Sequence, residues 1–159
     1  MKKKILSLEQ LTAKSGQLRS TGKQVVATNG CFDILHVGHV RYLAAARKLG
    51  DMLVVGLNGD SSVRQLKGEG RPVNPEQDRG EVLAALESVD YVTIFPELRA
   101  TNFLRAAQPS IYVKGGDYTA DTLDPSERAV LAKFGTKIEI IPFEQGYSTS
   151  QLLTRIGKA

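Results

Sequence analysis

Several features are scarce in this sequence of 159 residues, and each scarcity excludes a class of protein. The single cysteine, Cys31, has no partner for an intramolecular disulfide, which is typical of a reducing cytosol. No long apolar run is present, so no membrane span is predicted. The basic start is soon interrupted by polar residues, which disfavours a signal peptide. We therefore expect a cytoplasmic protein that has no membrane partner.

Aromatic side chains are few as well. Tryptophan is absent, and phenylalanine, tyrosine and tryptophan together make up 6% of the chain, which disfavours a surface on which bases stack. The net charge of +4 arises without a long lysine- or arginine-rich block. Such a mild positive charge fits an anionic small molecule better than a nucleic acid. We predict no nucleic-acid partner.

Short β-branched runs alternate with amphipathic segments along the chain. Strands are predicted at residues 25–27, 52–57, 91–95, 111–113 and 138–141. Helices are predicted at residues 8–18, 40–49, 75–86, 101–107, 126–134 and 150–156. Most of the strands lack polar alternation, as is typical of a parallel sheet covered on both faces. The alternation predicts an α/β fold, a Rossmann-like doubly wound sheet of five parallel strands with helices on both faces.

This pattern predicts a single domain over residues 1–159, with a helical lead-in at 1–22 and a Rossmann-like core at 23–159. Residues 59–74 combine glycine, proline and basic residues without periodicity, which indicates a mobile loop over a ligand site. In a doubly wound sheet, ligands bind beyond the carboxyl ends of the strands, where the strand order reverses. The candidate site therefore begins at three predicted strand ends, from Thr28, Asn58 and Lys114 onward.

The strongest local motif is the run Asn-Gly-Cys-Phe-Asp-Ile-Leu-His-Val-Gly-His at residues 29–39, which follows the first predicted strand and opens a helix. Unpaired backbone N–H groups and the helix dipole make such a helix start an anion site. His36 and His39 would share one face there, and their imidazoles can donate to phosphate oxygens. Gly38 between them would leave room for a phosphate.

Other interpretations of this motif stay open. The two histidines can be ordinary half-buried residues at a helix cap. Together with Cys31 they can also be zinc ligands, although their spacing fits no structural zinc pattern, and we predict no metal site made by the protein. Neither a P-loop nor a G-x-G-x-x-G dinucleotide fingerprint is found at the first strand.

With these residues, segment 30–39 resembles the His-x-Gly-His signature of the cytidylyltransferase-like nucleotidyltransferases. The resemblance extends over nearly the whole chain, through Arg79 and segments 67–73, 114–118 and 146–150. Their order and spacing are similar to one branch, the adenylyltransferase domain of bacterial ADP-heptose synthase, which acts on D-glycero-β-D-manno-heptose 1-phosphate. The resemblance implies transfer of AMP from ATP to this sugar phosphate with release of pyrophosphate. It also implies a homodimer, and a domain that occurs here without the fused sugar kinase.

The resemblance further implies roles for the matching residues. His36, His39 and Lys67 would be catalytic, because they would stabilise charge on the triphosphate during transfer. The nucleotide would be bound by Asn29, Gly30, Cys31, Phe32, Gly38, Lys114, Gly116, Ser148 and Thr149.

Three further residues, Asp33, Arg79 and Asp117, would hold the phosphosugar. Each has a structural alternative, as a cap or turn carboxylate or as a helix arginine. Mg²⁺ would be carried mainly by the phosphates of ATP, since this ion needs few protein ligands.

The chain departs from its relatives in places. Phe143 stands where glycerol-3-phosphate cytidylyltransferases carry arginine, which disfavours CTP. Leu123-Asp124-Pro125 replaces a Val-Gly pair that is usual in the heptose branch, so the sugar pocket can differ. The alternatives are therefore a CTP-dependent cytidylyltransferase acting on glycerol 3-phosphate or another phosphorylated polyol or sugar, and a non-catalytic nucleotide-binding protein. An RNA-binding module is a third alternative, which strong and salt-sensitive RNA binding would favour.

Overall fold

The structure is a computed structural model and describes residues 2–116, 118–142 and 146–158. Its strands are β1 (Val25–Gly30), β2 (Met52–Asn58), β3 (Tyr91–Phe95), β4 (Ile111–Gly115) and β5 (Lys137–Ile141). Its helices are α1 (Leu8–Ser20), α2 (Val37–Arg47), α3 (Asp60–Lys67), α4 (Glu76–Ala85), α5 (Thr101–Ala107), α6 (Pro125–Lys133) and α7 (Thr149–Ile156). Single turns of 3₁₀ helix lie at Lys2–Lys4 and Ala120–Thr122. Across these residues, no helix has both the length and the hydrophobicity that crossing a bilayer requires.

The strands form one parallel sheet in the order β3-β2-β1-β4-β5. The chain first adds strands on one side of β1 and then on the other, so the order reverses between β1 and β4. Strands β1 and β2 pair over the full length of β1, whereas the described register between β1 and β4 covers only Val26↔Ile111 and Ala27↔Tyr112. The predicted doubly wound sheet is confirmed, and its switch point lies between β1 and β4.

The side chains of the strands divide between two cores, because successive residues point to opposite faces of the sheet. On one face Ala27 and Tyr112 pack with α1, α5 and α6, and Leu11 of α1 belongs to this cluster. On the other face Val26 and Val113 pack with α2 and α4. The prediction that helices cover both faces is therefore confirmed.

The predicted loop at residues 59–74 is wrong in its first half, where the structure contains α3. Gly59 is the N-cap with extended backbone, and Gly68 ends the helix with a φ of 91°. The buried residues of α3 are Ser62 and Val63. A helix of only 8 residues is too short to be distinguished from a loop by apolar spacing alone.

Two predicted helix starts also differ from the structure. Helix α2 begins at Val37 instead of residue 40, with His36 as its N-cap. Helix α4 has Pro75 as its N-cap, and Asn74, the predicted cap, contacts Asp33 instead. In α2 the shift places the His-x-Gly-His segment on the first turn of the helix.

Candidate active site

The two histidines stack against each other at the start of α2. Their ring centroids are 3.9 Å apart with an interplanar angle of 30°. Nδ1 of His39 accepts a hydrogen bond of 3.4 Å from the backbone N–H of His36. The N-terminus of an 11-residue helix therefore presents two imidazoles beside its unpaired N–H groups, just beyond the end of β1.

Both imidazoles are neutral near pH 7. Burial and, to a smaller extent, the neighbouring His36 together lower the pKa of His39 to about 4. Burial also lowers the pKa of His36. Nδ1 of His36 is buried and has no hydrogen-bond partner among the described residues. Because a nearby negative charge stabilises the protonated form of histidine, this pair would gain affinity for a proton when a phosphate approaches.

Gly38 accommodates the ring of His36 closely. A Cβ atom at Gly38 would lie 2.9 Å from Cε1 of His36 and 3.0 Å from Cβ of Tyr147. The sequence motif predicts that Gly38 leaves space for a phosphate. In the structure, the side chains of His36 and Tyr147 border the space beside Gly38. Glycine is therefore needed for the placement of His36 and for the contact with segment 146–150.

The loop after β1 is built around Phe32, whose backbone has a left-handed φ of 43°. Its ring makes an edge contact with His39, with centroids 5.4 Å apart, and a Cβ at Gly30 would lie 3.0 Å from the same ring. Cys31 is half-buried, and its burial raises the pKa of the thiol although the nearby Lys67 opposes this. Lys67 itself is exposed at the end of α3.

A metal site is not formed by these side chains. Within the described residues, no three histidine, cysteine, aspartate or glutamate side chains come together as possible ligands. The zinc interpretation of Cys31, His36 and His39 therefore has no supporting geometry in that part of the chain.

Asp33 holds the segment before α4 in place. Its buried carboxylate accepts hydrogen bonds from the Arg71 side chain at 2.6 Å, from the Val73 N–H at 2.9 Å and from the Asn74 N–H at 3.0 Å. The side-chain amide of Asn74 donates to the Asp33 carbonyl at 2.8 Å. Burial by itself raises the pKa of Asp33, but the bonds from Asn74, Val73 and Arg71 bring it below the usual value. These contacts fix a loop and do not leave the carboxylate open.

Arg79 is 2% exposed and joins four elements at the edge of the site. Its Nη1 donates to the carbonyls of Cys31 at 2.6 Å and Asn58 at 2.9 Å, which lie after β1 and at the end of β2. Its Nε donates to the Asn74 carbonyl at 2.9 Å, and its Nη2 pairs with Asp60 at 2.7 Å. The guanidinium thus directs most of its hydrogen bonds to oxygen atoms of the protein itself.

A cavity of about 110 Å³ lies beside Asp33 and Arg79. It is lined by Phe32, Asp33, Leu35, Asn74, Asp78, Arg79 and Val82. Such a volume is enough for several water molecules.

Lys114 reaches the opposite side of the switch point, on β4. Its ammonium group lies 5.6 Å from the ring centroid of Tyr112 and 4.9 Å from that of Tyr118, and burial lowers its pKa. Gly116 follows with a left-handed φ of 54°, where glycine carries no steric cost. Asp117 lies outside the described residues.

The C-terminal motif comes back to the histidine segment. Ser148 is the N-cap of α7 and accepts from the Gln151 N–H at 3.1 Å. The hydroxyl of Thr149 donates to the Ile34 carbonyl at 3.5 Å, which links α7 to the loop before α2. Phe143, on which the preference against CTP depends, lies outside the described residues.

Sequence reasoning missed a pair of tyrosine hydroxyls at the switch point. Tyr42 of α2 bonds to the Thr28 hydroxyl at 2.8 Å and to the Val113 carbonyl at 3.2 Å. From the other face of the sheet, Tyr112 donates to the side chain of Asn29. Of the residues in these contacts, only Asn29 could be identified from the sequence, because it belongs to the motif at residues 29–39. Tyr42 lies one helical turn after the second motif histidine, but a tyrosine there is equally typical of a packed helix.

Comparison with known proteins extends these observations. Residues 27–155 match the model of the family described as cytidylyltransferase-like. The bifunctional protein HldE of Geobacter sulfurreducens is 45% identical over 156 residues, and that of Campylobacter fetus is 47% identical over 154 residues. These alignments cover 98% and 97% of this chain, and 31% of each relative. The chain thus spans about a third of the length of these curated relatives.

Solved structures with the same fold are also found. A lipopolysaccharide core biosynthesis protein from Thermoplasma volcanium aligns with a TM-score of 0.64 and 30% identity, over 80% of this chain and 100% of that one. Pantoate-beta-alanine ligase from Francisella tularensis aligns with a TM-score of 0.60 over 89% of this chain and 67% of that one. Its identity is 16%, so this second match shows the fold alone.

Proposed function

We propose that the chain, which belongs to the cytidylyltransferase-like family of nucleotidyltransferases, transfers AMP from ATP to a sugar 1-phosphate and releases pyrophosphate. The sugar phosphate that the sequence supports best is D-glycero-β-D-manno-heptose 1-phosphate, which gives ADP-heptose. Support for this branch comes from segments 67–73 and 114–118 and from the similarity to the HldE proteins.

The observation that carries the proposal is the stacked pair of neutral histidines on the first turn of α2. A phosphate chain placed there would meet two imidazoles, the free N–H groups of the helix and the positive end of its dipole. These groups would stabilise the charge that develops as the bond between the α- and β-phosphates breaks.

The reaction needs no covalent intermediate with the protein. An oxygen of the sugar phosphate attacks the α-phosphorus in line, and pyrophosphate leaves with the electron pair of the broken bond. His36 and His39 would donate hydrogen bonds to the leaving phosphates. Lys67, on α3, would add positive charge from the opposite side, and Lys114 would face the nucleotide from β4. Catalysis would then consist of positioning and electrostatic stabilisation.

Mg²⁺ would enter as part of the substrate, bound to the phosphates of ATP. Two carboxylates near the strand ends, those of Asp33 and Asp60, are already paired with Arg71 and Arg79. An ion that keeps several water ligands and binds phosphates suits a site with such a donor set.

The remaining residues fall into two groups. Nucleotide contacts are proposed for Asn29, Gly30, Cys31, Phe32, Gly38, Lys114, Gly116, Ser148 and Thr149. For Asp33 and Arg79 we propose that they shape the sugar-phosphate side of the site by holding the strand ends and segment 71–74, and for Asp117 a contact with the sugar. A homodimer and a cytoplasmic location belong to the same proposal and follow from the resemblance.

The proposal is tested by measuring pyrophosphate release with Mg²⁺ and D-glycero-β-D-manno-heptose 1-phosphate, once with ATP and once with CTP. We expect release with ATP, and its loss in a folded His39→Ala variant. Release with CTP alone would overturn the adenylyl assignment and favour a cytidylyltransferase. If ATP binds but neither nucleotide turns over with this or other sugar phosphates, a non-catalytic nucleotide-binding protein is favoured.

A further inference from the structure

We infer that Tyr42 is a positioning residue for the His36–His39 pair, because its hydroxyl fixes the start of α2 over the gap between β1 and β4. This inference rests on the proposed function only in that it concerns the histidines to which we assign catalysis. The position of the helix itself can be measured without any turnover.

The gap arises from the way in which the two central strands pair. In the described part of the chain, β1 and β4 pair at Val26↔Ile111 and Ala27↔Tyr112, while each continues for three more residues toward the site. The same residues of β1 remain paired with β2, and those of β4 with β5. The Val113 carbonyl therefore requires a donor that β1 does not supply.

Tyr42 supplies this donor, and the direction of each hydrogen bond follows from the chemistry. A carbonyl can only accept, so the single proton of the Tyr42 hydroxyl goes to Val113, at 3.2 Å. The bond of 2.8 Å between Tyr42 and Thr28 must then be donated by Thr28. One hydroxyl from α2 thus bridges β1 and β4 where their backbones no longer do.

The position of Tyr42 on α2 gives this bridge its effect on the site. Tyr42 follows His39 by three residues, so the two side chains lie on the same face of the helix one turn apart. Residues 37–41 are all exposed or half-buried, and the buried anchors Leu43 and Ala46 lie further along the helix. The Tyr42 hydroxyl thus bonds to both central strands one helical turn after His39.

The test compares Tyr42→Phe, which keeps the ring and removes the hydroxyl, with Tyr91→Phe on β3 as a matched control. Thr28→Val removes the other partner of the bridge and serves as a second variant. The chain contains only two histidines, so their NMR titrations are simple to follow, and His36→Gln assigns them. Steady-state pyrophosphate release is measured on the same proteins.

For Tyr42→Phe we expect the pKa of His39 in the nucleotide-free protein to move up by about one unit, as water reaches a loosened helix start. We expect kcat to fall roughly 10- to 100-fold, since small misplacements of reacting groups have effects of this size, with KM for ATP changing much less. Thr28→Val should move both quantities in the same direction. The double variant should be no worse than Tyr42→Phe alone, because both act through one bridge. Tyr91→Phe should change neither.

An unchanged His39 titration in both Tyr42→Phe and Thr28→Val would overturn the inference, whether or not kcat falls. A fall in kcat without that change would mean that the hydroxyl acts on the substrate directly. If the wild-type protein shows no turnover with any sugar phosphate, the proposed function fails, while the titration still decides whether Tyr42 positions the histidines.

Discussion

Replacing Arg79 by methionine removes a buried guanidinium while keeping an unbranched apolar side chain in place of the aliphatic part of arginine. The change leaves the carbonyls of Cys31, Asn58 and Asn74 without their donor and removes the ion-pair partner of Asp60. The side chain of Arg79 is 1% exposed, so water cannot replace it without a rearrangement of the strand ends. The fold itself should survive, because both hydrophobic cores lie elsewhere.

The expected loss follows from these partners. Removing one member of a buried ion pair costs about 3–5 kcal/mol of unfolding free energy. Asp60 is 32% exposed and can be partly hydrated, which places the expected loss for Arg79→Met near the lower end, at about 3 kcal/mol. Small domains have only about 5–15 kcal/mol in total, so the effect is large.

Urea denaturation followed by circular dichroism measures this loss. With an m-value of about 1–3 kcal/mol/M, a loss of this size lowers the midpoint by roughly 1–3 M. Arg105→Met is the matched control, since Arg105 is exposed on α5, and it should stay within about 0.5 kcal/mol of the wild type. A loss below about 0.5 kcal/mol for Arg79→Met would refute the assignment of Arg79 as the link between the strand ends.

Three further predictions concern the histidine segment and Asp33. Gly38→Ala should lower the unfolding free energy by roughly 1 kcal/mol, because the contacts of 2.9 Å with His36 and 3.0 Å with Cβ of Tyr147 outweigh the gain in helix propensity, and kcat should fall as the His36 ring is displaced. The unfolding free energy should decrease as the pH falls from about 6.5 to about 4, because His39, with its pKa lowered to about 4, binds protons less readily in the folded state. His39→Gln should make this dependence weaker. Asp33→Asn should lower the unfolding free energy by about 1–3 kcal/mol, because it removes the charge that pairs with Arg71. It should also raise KM for the sugar phosphate.

Each of these has a clear contrary result. Wild-type kcat in Gly38→Ala would mean that the placement of the His36 ring is unimportant. For the pH series, an equal slope in wild type and His39→Gln, measured by urea denaturation at several pH values, would contradict a lowered pKa of His39. Unchanged stability and KM in Asp33→Asn would show that segment 71–74 is held in another way. Steady-state kinetics and urea denaturation supply all of these quantities.

The sheet was predictable from sequence because buried parallel strands are runs of apolar, β-branched residues. The predicted bounds of β3 agree with the structure, whereas β1 and β4 each extend beyond the prediction, to Gly30 and Gly115. The missed residues are the polar and glycine ends that form the site, so apolar patterning cannot find them. Helix α3 was missed for another reason, since it is only 8 residues long and lies in a stretch whose glycine, proline and basic residues indicated a loop.

The candidate site was predictable where a local motif carries it and not where distant residues complete it. The run from residue 29 to residue 39 indicated the histidines, because they lie close in sequence and share one helical turn. The partners of Arg79 lie up to 48 residues away, and Val113 lies 71 residues from Tyr42. No local pattern encodes contacts of this range, so the linking roles of Arg79 and Tyr42 emerge only when the chain is folded.

The most direct test of the central claim follows the α-phosphate of ATP. The protein is incubated with Mg²⁺, D-glycero-β-D-manno-heptose 1-phosphate and ATP labelled either at the α- or at the γ-phosphate, and the products are separated. Our account predicts that the α-label appears in ADP-heptose and the γ-label in pyrophosphate, in equal amounts, with no label on the protein. An α-label found in free AMP or ADP, or attached to the protein, would contradict direct adenylyl transfer to the sugar phosphate.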